Sequence, residues 1–400
     1  MSTDQSPQDI VIVAAKRTAM GGFQGALSAV PAPTLAANAI KGLVNQTQIN
    51  TDLIDEVFMG CVLPAGLGQA PARQATLGAD LPLSVGATTV NKVCGSGMKT
   101  VMLAHDAIKS GSSEVVIAGG MESMSQAPYL LDKARGGMRM GHGKVLDHMF
   151  LDGLEDAYTG GAMGTFAQKA ADDFGLTREQ MDNFALSSLE KANKAIDSGA
   201  FKAEIVPITI ANRRGDVTVD TDEQPGNARP EKIPTLRPAF TKDGTITAAN
   251  SSSISDGAAA VMLMTREKAA SLGLEVMATI KGHSTHSQEP SMFTTAPVGA
   301  MNKLFDKVNW AKTDVDLFEI NEAFAMVTML AIQELQLDAN KVNIYGGACA
   351  LGHPIGCSGA RVLVTLIHAL QAKGLAKGTA KGMASLCIGG GEATAMAIEV

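Results

Sequence analysis

The stretch Asn91-Lys92-Val93-Cys94-Gly95-Ser96-Gly97 opens the part of the chain that decides the fold. Residues 98–109 follow with strongly helical spacing, and residues 114–119 form an apolar run ending in glycine, which predicts a strand. Three more predicted elements lie upstream: a strand over 10–15, a helix over 34–44 and a strand over 55–60. This β-α-β-α-β order predicts an α/β sheet with helices on its faces.

A weak internal repeat relates the two ends of the chain. A cysteine-glycine turn, a helix and a strand that ends in Gly-Gly occur twice in the same order, the second helix being predicted over 360–371. The repeated pairs are 55–60 with 315–321, 94–97 with 356–359, and 117–120 with 386–390. The repeat predicts two similar α/β halves that face each other.

The segment between these halves has a different texture. From about residue 123 to 245, Gly, Met, Asp and Pro become frequent. An amphipathic helix is predicted over 178–198 with Thr177 as its N-cap, and a hairpin over 212–222 around Arg214-Gly215. We expect this segment to be an insertion between the two core halves.

Composition limits the classes of function. The 400 residues exceed the roughly 250–300 of a single core, so two or more packed units are expected. A formal net charge of −7 argues against nucleic-acid binding and requires a local basic patch for any anionic ligand. The five scattered cysteines are an odd number, which argues against a disulfide framework and favours a reducing compartment.

The ends of the sequence favour a cytoplasmic protein. The first nine residues are polar and acidic, unlike a secretory signal or an Arg-rich transit peptide. The last four, Ala-Ile-Glu-Val, carry no peroxisomal address. We find no apolar run close to the ~20 residues that cross a bilayer, so no membrane association is expected.

Cys94 lies between a predicted strand and a predicted helix. A helix N-terminus carries free N–H groups and partial positive charge, and both favour a thiolate and lower a cysteine pKa. The alternative is a buried structural cysteine, the commoner fate of a single Cys. A phosphate loop is excluded because Met98 stands where that motif requires Gly before Lys99.

The glycine-rich stretch 346–361 contains His353 followed by proline. Its conformational entropy cost indicates that the backbone approaches a ligand there, and His353 could act as a general base. Cys349, Cys357 and His353 could instead suggest a metal, but their spacing fits no common zinc pattern, so we expect none.

Two other segments carry weaker indications. Cys387, directly before three glycines, is either a core thiol or one that a ligand approaches. Asn321 follows a predicted strand and opens a predicted helix, so it could simply be an N-cap. Neither residue indicates a function by itself.

Together these segments resemble the thiolase family, over essentially the whole chain. The resemblance rests on the five stretches Asn91–Gly97, Gly119-Gly120-Met121-Glu122-Ser123-Met124-Ser125, Asn321-Glu322-Ala323-Phe324-Ala325, Gly352-His353-Pro354 and Cys387-Ile388-Gly389-Gly390-Gly391. It implies a thiolase fold of two similar five-stranded α/β halves packed together, with an inserted loop domain. The expected boundaries are 1–123 plus 246–272 for the N-terminal half, 124–245 for the insertion with its CoA and oligomer contacts, and 273–400 for the C-terminal half.

The resemblance also implies the catalytic roles. His353 takes the proton of Cys94, whose thiolate attacks a thioester carbonyl to give an acyl-enzyme. Cys387 is the base that removes a proton from the α-carbon of a second acyl-CoA. One oxyanion site is implied at His353 with a water held by Asn321, and the other at the backbone N–H groups of Cys94 and Gly389.

For the substrate, the resemblance implies coenzyme A thioesters and no separate cofactor or metal. Two acetyl-CoA would condense to acetoacetyl-CoA and CoA, or the reverse. A homotetramer built as a dimer of dimers is also implied, with the segment 121–140 as a local indication of subunit contact. The implied substrate-binding residues are Arg213, Phe240, Ala248, Ser252, Phe324, Met163 and Phe293.

Several positions depart from the short-chain members of that family. Ala162 replaces a typical His, Tyr345 a usual Asn, and Glu392 a common Gln or Met, while Phe293 stands where Met is frequent. The bulk of Met163 and Phe293 favours short acyl chains. Ala162 favours the alternative, a broader 3-ketoacyl-CoA thiolase.

Two further alternatives follow from the same residues. A decarboxylating ketoacyl synthase would use His or Asn in place of a second reactive cysteine, so Cys387 argues against it. A non-enzymatic CoA-binding or lipid-binding protein would need the glycines but not Cys94, His353 and Cys387 together.

Overall fold

The computed structural model describes residues 6–213, 215–375 and 378–400. The strands are β1 (Ile10–Arg17), β2 (Gly21–Gly22), β3 (Glu56–Gly60), β4 (Gly86–Val90), β5 (Val116–Ser123), β6 (Tyr129–Leu130), β7 (Leu146–Asp147), β8 (Ile208–Ile210), β9 (Val217–Val219), β10 (Ser255–Thr265), β11 (Ala278–Ser287), β12 (Leu317–Ile320), β13 (Lys381–Ile388) and β14 (Glu392–Glu399). The α-helices are α1 (Ala32–Thr47), α2 (Pro71–Gly78), α3 (Ser96–Lys109), α4 (Met163–Asp173), α5 (Arg178–Ser198), α6 (Glu223–Asn227), α7 (Arg266–Ser271), α8 (Ala296–Val308), α9 (Ala325–Leu335), α10 (Ala348–Leu351) and α11 (Ile355–Ala372).

The long strands form one mixed sheet in the order β12-β13-β14-β11-β1-β10-β5-β3-β4, with β2 beside β10. The sheet consists of two halves that meet only where β1 pairs with β11, at Val11 with Thr279 and Ile12 with Ala278. In each half the pairings are antiparallel near this junction and become parallel towards the outer edge. The predicted architecture of two similar α/β halves is confirmed.

The halves differ in their fifth strand. In the first half, β3 pairs in parallel with β4 along five residues. At the equivalent place in the second half, the outer edge of β12 is paired, among the described residues, only by a single parallel bridge between Phe318 and Val342. In its described residues, the second half therefore has four strands and a bridge where five strands were expected.

Side chains alternate between the two faces of a strand, so the two faces of each half pack against different helices. Ile10 and Ile12 of β1 belong to the core that surrounds α3 and α11. Val11 and Val13, on the opposite face, pack with α1 in a separate core. A third core lies between α8 and the outer face of β13 and β14. The central helices α3 and α11 are thus enclosed between the two halves of the sheet.

Glycines allow α3 and α11 to touch at their first turns. A Cβ at Gly97 would lie 2.8 Å from the backbone N of Ala360, and one at Gly359 would lie 2.4 Å from the N of Met98. Real Cβ atoms do not approach backbone this closely, so both positions exclude a side chain. The turns that precede the two helices are consequently held next to each other.

The insertion is tied to the sheet through a buried cation. Arg17, at the end of β1, donates to Glu204 at 2.5 Å and to both carboxylate oxygens of Asp222 at 2.6 and 2.9 Å. All three side chains are fully buried, and the two carboxylates raise the pKa of Arg17 against the opposing effect of burial. Breaking such a pair costs far more than breaking an exposed one, because a charge would stay buried without a partner.

The remaining sequence-based predictions have mixed outcomes. The prediction of helix α5 over 178–198 with Thr177 as its N-cap is confirmed, and Gln180 completes a capping box with Thr177. The hairpin is formed by β8 and β9, slightly before the predicted range, and Arg214 lies outside the described residues. The stretch between β5 and β10 adds no strand to the large sheet in its described part. The exact domain boundaries stay a prediction.

Two expectations about helices were wrong. Helix α11 begins at Ile355, not at 360, because Pro354 occupies the preceding position and the glycines that follow pack as helix against α3. Asn321 is not an N-cap, since α9 begins only at Ala325. Helix α11 is also long and apolar enough to cross a bilayer by length and composition, but 83% of it is buried inside the protein.

Candidate active site

Cys94 lies on the turn between β4 and α3, two residues before the helix. Val93 before it has a φ of 45°, a left-handed conformation that costs energy for a β-branched residue. The residue as a whole is partly exposed, whereas its thiol is enclosed by protein and faces two hydrogen-bond donors, the backbone N–H groups of Gly389 and of Cys94 itself. The strained turn thus presents the sulfur beside the two donors that the sequence resemblance assigned to an oxyanion site.

The pKa of Cys94 differs from the sequence-based expectation. Burial raises the pKa to about 11, and the N–H groups of Gly389 and Cys94 oppose this effect without overcoming it. The buried carboxylate of Glu122 adds to the increase. The expected lowering by the helix N-terminus was therefore wrong, because desolvation of the thiolate outweighs the nearby dipoles. In the resting protein Cys94 is a thiol and needs a base.

His353 lies two residues before α11, as Cys94 does before α3. Its Nδ1 is 2.5 Å from Ser358 Oγ, and the Ser358 hydroxyl donates to the carbonyl of Pro354 at 2.9 Å. Ser358 therefore accepts from Nδ1–H, which assigns the lone pair of the neutral ring to Nε2. This Nε2 is buried without a hydrogen-bond partner in the protein. The ring is held by one nitrogen and offers the other as a proton acceptor.

Burial also keeps His353 neutral. Desolvation and, secondarily, the charge of Arg361 lower its pKa to about 3. Asn321 Nδ2 stands 3.5 Å from His353 Nδ1, but both atoms are donors in the assigned tautomer, so this contact is not a hydrogen bond. The other amide atom of Asn321, Oδ1, is buried without a partner. An orphaned acceptor beside the histidine is a suitable place for a bound water.

Cys387 is the seventh residue of β13 and is fully buried. Desolvation raises the pKa of its thiol well above the usual range, and the proximity of Cys94 raises it further. Gly390 and Gly391, with φ of 89° and 84°, then form the tight turn into β14. This turn carries Gly389 to the thiol of Cys94, so both cysteines and both N–H donors meet at one place.

Two buried carboxylates, Glu122 and Glu322, hold the segments around the two thiols in position. Both lie in motifs that carry the family resemblance, but the sequence alone did not reveal these roles. Glu122, at the end of β5, accepts from the backbone N–H groups of Val62, Leu63 and Gly356 at 2.8–3.1 Å. It thereby holds the start of α11, and burial raises its pKa to about 7. The signal was a glutamate two residues after a Gly-Gly pair within a predicted strand region.

Glu322 is the second supporting carboxylate, next to Asn321. It accepts from Ser188 at 2.7 Å, from Asn343 at 2.9 Å and from the backbone N–H of Cys349 at 3.1 Å. These partners come from α5, from the loop between α9 and α10, and from α10, so one side chain fixes the loop that carries Asn321. Buried carboxylates that find several donors are typical of positioning networks.

A further ion pair joins the two sides of the site. Lys92, two residues before Cys94, pairs with Glu392, which follows the glycine turn after Gly389. Ser287 also donates to Glu392, at 3.0 Å. The sequence departs from the family pattern at Glu392, and the structure gives the reason. Its carboxylate links the loop that carries the N–H donor of Gly389 to the loop that carries the N–H donor of Cys94.

Aromatic side chains line the region beside Cys387. Phe293 and Phe324 are buried and belong to the same core cluster as Cys387, with Met163 and Phe240 packed against it. Phe324 lies edge-on to Phe240 and Phe293, with ring centroids 6.0 and 6.4 Å apart. Met163 also reaches the turn, 3.6 Å from where a Cβ of Gly389 would be. The structure thus gathers these four predicted residues around the second thiol.

The other predicted binding residues lie further out. Ser252 donates its hydroxyl to the carbonyl of Ala323 at 2.9 Å, directly beside Phe324. Ala248 is exposed on the loop before β10, and Arg213 is exposed between β8 and β9. Their roles in binding stay predictions, as do the catalytic roles assigned above.

Comparison with known proteins agrees with this geometry. Residues 10–267 match the model of the thiolase N-terminal domain, and residues 274–400 match that of the thiolase C-terminal domain. An acetyl-CoA acetyltransferase of Pseudomonas aeruginosa is 49% identical over 393 residues, which are 98% of this chain and 99% of that protein. The chain belongs to the thiolase family.

Solved structures give the same answer. The acetyl-CoA acetyltransferase of Bacillus anthracis superimposes with a TM-score of 0.94 at 42% identity, over 98% of each chain. The Acat5 thiolase of Ascaris suum, solved in complex with coenzyme A, has a TM-score of 0.92 at 40% identity, over 98% of this chain and 99% of that one. The likeness extends over both halves of the sheet and the insertion.

The raised pKa of Cys94 predicts how it reacts with iodoacetamide. Because the thiol form dominates below a pKa of about 11, the thiolate fraction, and with it the alkylation rate, should rise ~10-fold per pH unit between pH 7 and 9. Timed labelling followed by peptide mapping measures the rate at each cysteine. Cys349, the other partly exposed cysteine, has a pKa raised well above the usual range and should react more slowly.

A Cys349→Ser variant serves as the control, since it removes that competing thiol and should leave the Cys94 profile unchanged. A rate at Cys94 that is already constant from pH 7 upwards would mean a preformed thiolate and would contradict this assignment.

Proposed function

We propose that this protein condenses two acetyl-CoA molecules to acetoacetyl-CoA and CoA, and catalyses the reverse thiolysis, through an acyl-Cys94 intermediate. One observation carries the proposal: the N–H of Gly389 faces the Cys94 thiol at the place where the second thiol, Cys387, lies buried. A nucleophile, an oxyanion site and a second base in one place are what a thioester condensation requires. The names of full-length relatives, acetyl-CoA acetyltransferases, support the same activity.

In the first half-reaction, Cys94 Sγ attacks the carbonyl carbon of acetyl-CoA. The thiol proton passes to Nε2 of His353, which is free and unprotonated, and then to the departing sulfur of CoA. With a thiol pKa of about 11 and a histidine pKa of about 3, a stable thiolate–imidazolium pair is not expected before substrate binds. Proton transfer therefore accompanies the attack, while the N–H groups of Cys94 and Gly389 hold the developing oxyanion.

In the second half-reaction, Nε2 of His353, free again once CoA has left, takes the proton of the Cys387 thiol, and the resulting thiolate removes a proton from the α-carbon of a second acetyl-CoA. The carbanion attacks the acetyl carbonyl on Cys94, a carbon–carbon bond forms, the bond to Cys94 Sγ breaks, and the departing thiolate of Cys94 takes the proton held on His353 Nε2 to restore the resting thiol. The enolate oxygen of the second substrate accepts a hydrogen bond from His353, whose Nε2 carries a proton at this stage. It accepts another from a water bound to Oδ1 of Asn321. Because burial raises the pKa of Cys387, its thiolate is a stronger base towards a carbon acid.

Coenzyme A is proposed to enter along Phe240 of the insertion and Phe324 of the C-terminal half. Phe240 and Phe324 flank the pantetheine, and the loop from Ala248 to Ser252 meets its amides. Arg213, exposed on the β8–β9 hairpin, is placed to pair with the phosphates of the ADP end. The acidic net charge makes such a local cation necessary for an anionic ligand.

A broader 3-ketoacyl-CoA thiolase is the alternative. Ala162 favours it, since this small residue caps α4 directly before Met163 and leaves room where the family often has His. The buried Phe293 and its contact with Phe324 favour the short-chain activity. Overpacking a filled site costs ~1–3 kcal/mol, whereas each buried methylene returns only ~0.8 kcal/mol, so rigid aromatic walls reject longer chains.

A homotetramer built as a dimer of dimers is proposed, with the insertion as the contact region. Met121 and Met124 are core residues, so the first part of the indicated segment 121–140 is not available for subunit contact. The part from 129 to 158 instead exposes large apolar side chains, which in a lone chain would remain in water. These are Tyr129, Leu131, Met138, Met140, Val145, Phe150, Leu151 and Tyr158.

A cytoplasmic location is proposed as well. All five cysteines are free thiols, and the mechanism requires Cys94 and Cys387 to remain reduced. Cell fractionation that recovers the protein in an oxidising compartment would contradict this location.

The Cys387→Ser variant is predicted to separate the two half-reactions. Serine is far less acidic than a thiol of reference pKa ~8.5, so condensation should fall by at least ~10²-fold while acetyl transfer to Cys94 persists. Intact mass after incubation with acetyl-CoA measures the acetyl adduct, and acetoacetyl-CoA formation measures condensation. Cys349→Ser is the control and should retain both. Equal losses in the two half-reactions of Cys387→Ser would refute the division of roles.

Acyl-chain selectivity is predicted to favour acetoacetyl-CoA over 3-ketooctanoyl-CoA in thiolysis. The comparison uses kcat/KM at equal free CoA. Phe293→Leu, which shortens the buried wall, should shift the ratio towards the longer substrate by ~5- to 150-fold, since that is the range to which relieving ~1–3 kcal/mol of overpacking corresponds. A wild-type ratio that already favours the longer substrate would establish the broader thiolase.

Assembly is predicted to be visible by sedimentation equilibrium. The exposed apolar surface at 129–158 should give a mass of four chains at micromolar concentration, and Met140→Glu, at a side chain 98% exposed in the single chain, should weaken the assembly. A monomer mass throughout this range would exclude the tetramer.

A further inference from the structure

We propose that His105, Asp106 and His283 form a binding site for one divalent first-row metal ion, such as Zn²⁺ or Ni²⁺, away from the reacting groups. The three side chains come from the last turns of α3 and from β11. They form the one such group of three His, Cys, Asp or Glu residues found in the described part of the chain. Sequence spacing does not reveal this group, because Asp106 and His283 are 177 positions apart.

The three ligand atoms are already close to a coordination geometry. Asp106 Oδ1 lies 2.9 Å from Nδ1 of His105 and 3.1 Å from Nε2 of His283, and all three ligand atoms lie within 4.8 Å of one another. Around a tetrahedral zinc ion with bonds of ~2.0–2.2 Å, neighbouring ligand atoms are ~3.3 Å apart. The two contacts to Asp106 therefore need to lengthen by only a few tenths of an ångström, and the larger movement is the approach of the two imidazole nitrogens, which lie up to 4.8 Å apart.

The neighbouring structure holds the rings in place. The two imidazoles pack edge to face, with centroids 5.0 Å apart and an interplanar angle of 85°. Their side chains are only 11% and 13% exposed, whereas that of Asp106 is 55% exposed. The cluster is thus rigid on the protein side and open towards solvent at the carboxylate, where water can supply a fourth ligand.

The donor set selects the class of ion. Two imidazole nitrogens and one carboxylate oxygen suit Zn²⁺, Ni²⁺ and Cu²⁺, and do not suit Mg²⁺ or Ca²⁺, which prefer oxygen ligands. Without metal, Asp106 accepts hydrogen bonds from both rings. On binding, each neutral ring moves its proton to the other nitrogen through solvent, so no net proton is released. Those other nitrogens are Nε2 of His105 and Nδ1 of His283. Among the described residues, neither is a buried atom that lacks a hydrogen-bond partner.

The charged groups around the cluster point to a moderate affinity. Asp106 supplies one negative charge, while Nζ of Lys307 bonds the backbone carbonyl of His283 at 3.0 Å and brings a positive charge close to the ion. Removing this charge should strengthen binding. Lys307 is therefore a test of the electrostatics that leaves the three ligands untouched.

The site would connect the two halves of the molecule. Helix α3 belongs to the first half and carries the Cys94 turn at its start, whereas β11 belongs to the second half. His105 lies nine residues into α3, about 14 Å along its axis at ~1.5 Å per residue, so a metal there does not reach the reacting atoms. An ion that binds only the folded chain stabilises it by mass action.

Calorimetric titration of the full-length protein with NiCl₂ tests the proposal. We expect one Ni²⁺ per chain, and affinity losses of at least ~10-fold for His283→Gln and for Asp106→Asn, since even losing a group that only supports a ligand costs 10–100-fold. Lys307→Met should bind more tightly than wild type. His142→Gln removes an exposed histidine outside the cluster and serves as the matched control with unchanged affinity.

Two measurements distinguish loss of a ligand from misfolding and from metal binding elsewhere. Circular dichroism and the metal-free Tm establish that each variant is folded, and addition of Ni²⁺ should raise the Tm of wild type but not of His283→Gln. Repeating the titration in Cys94→Ser, which should retain the site, separates it from metal binding by the catalytic thiols and from the success of the proposed function. Affinity that is unchanged in both His283→Gln and Asp106→Asn, or no binding to wild type at millimolar Ni²⁺, would overturn the proposal.

Discussion

The contact between the first turns of α3 and α11 is the constraint on which the rest of the structure depends. Gly97 and Gly359 remove the side chains that would separate the two helices, and Gly356 meets Gly120 of β5 in the same way. Since Cys94 and His353 each lie two residues before their helices, this contact places the nucleophile's turn beside the base's turn. The two similar α/β halves thereby form a single site at their junction.

Enclosure of this junction by two halves of a sheet sets its chemistry. Desolvation dominates the pKa of Cys94, Cys387 and His353 and in each case favours the uncharged form. A dry site strengthens the N–H groups of Cys94 and Gly389 as donors to an oxyanion, because little water competes with them. Charge therefore develops in the transition state, where the donors meet it, and not in a resting thiolate–imidazolium pair.

Supporting groups keep the donors aligned at some cost in desolvation. Glu122 and Glu322 are fully buried, with raised pKa values, and are retained by three or more hydrogen bonds each. Each connects segments that are distant in sequence and adjacent to a reacting group. The Lys92–Glu392 pair does the same across the two N–H donors. The reacting side chains are few, and most of the polar burial serves to hold them.

The sequence by itself determined the class of fold and the candidate residues. Strand and helix periods located β1, α1, β3, α3, β5 and α5, and the repeated cysteine-glycine turns indicated the two halves, because these are local properties of the chain. Only the tertiary structure decided the pKa values, the tautomer of His353, the reduced fifth strand at Val342, and the partners of Glu392, Glu122 and Asp106. Each of these depends on desolvation or on hydrogen bonds from segments far away in sequence, which local pattern does not encode. The helix N-terminus read from sequence argued for a thiolate at Cys94, and burial by the second half of the molecule reversed that conclusion.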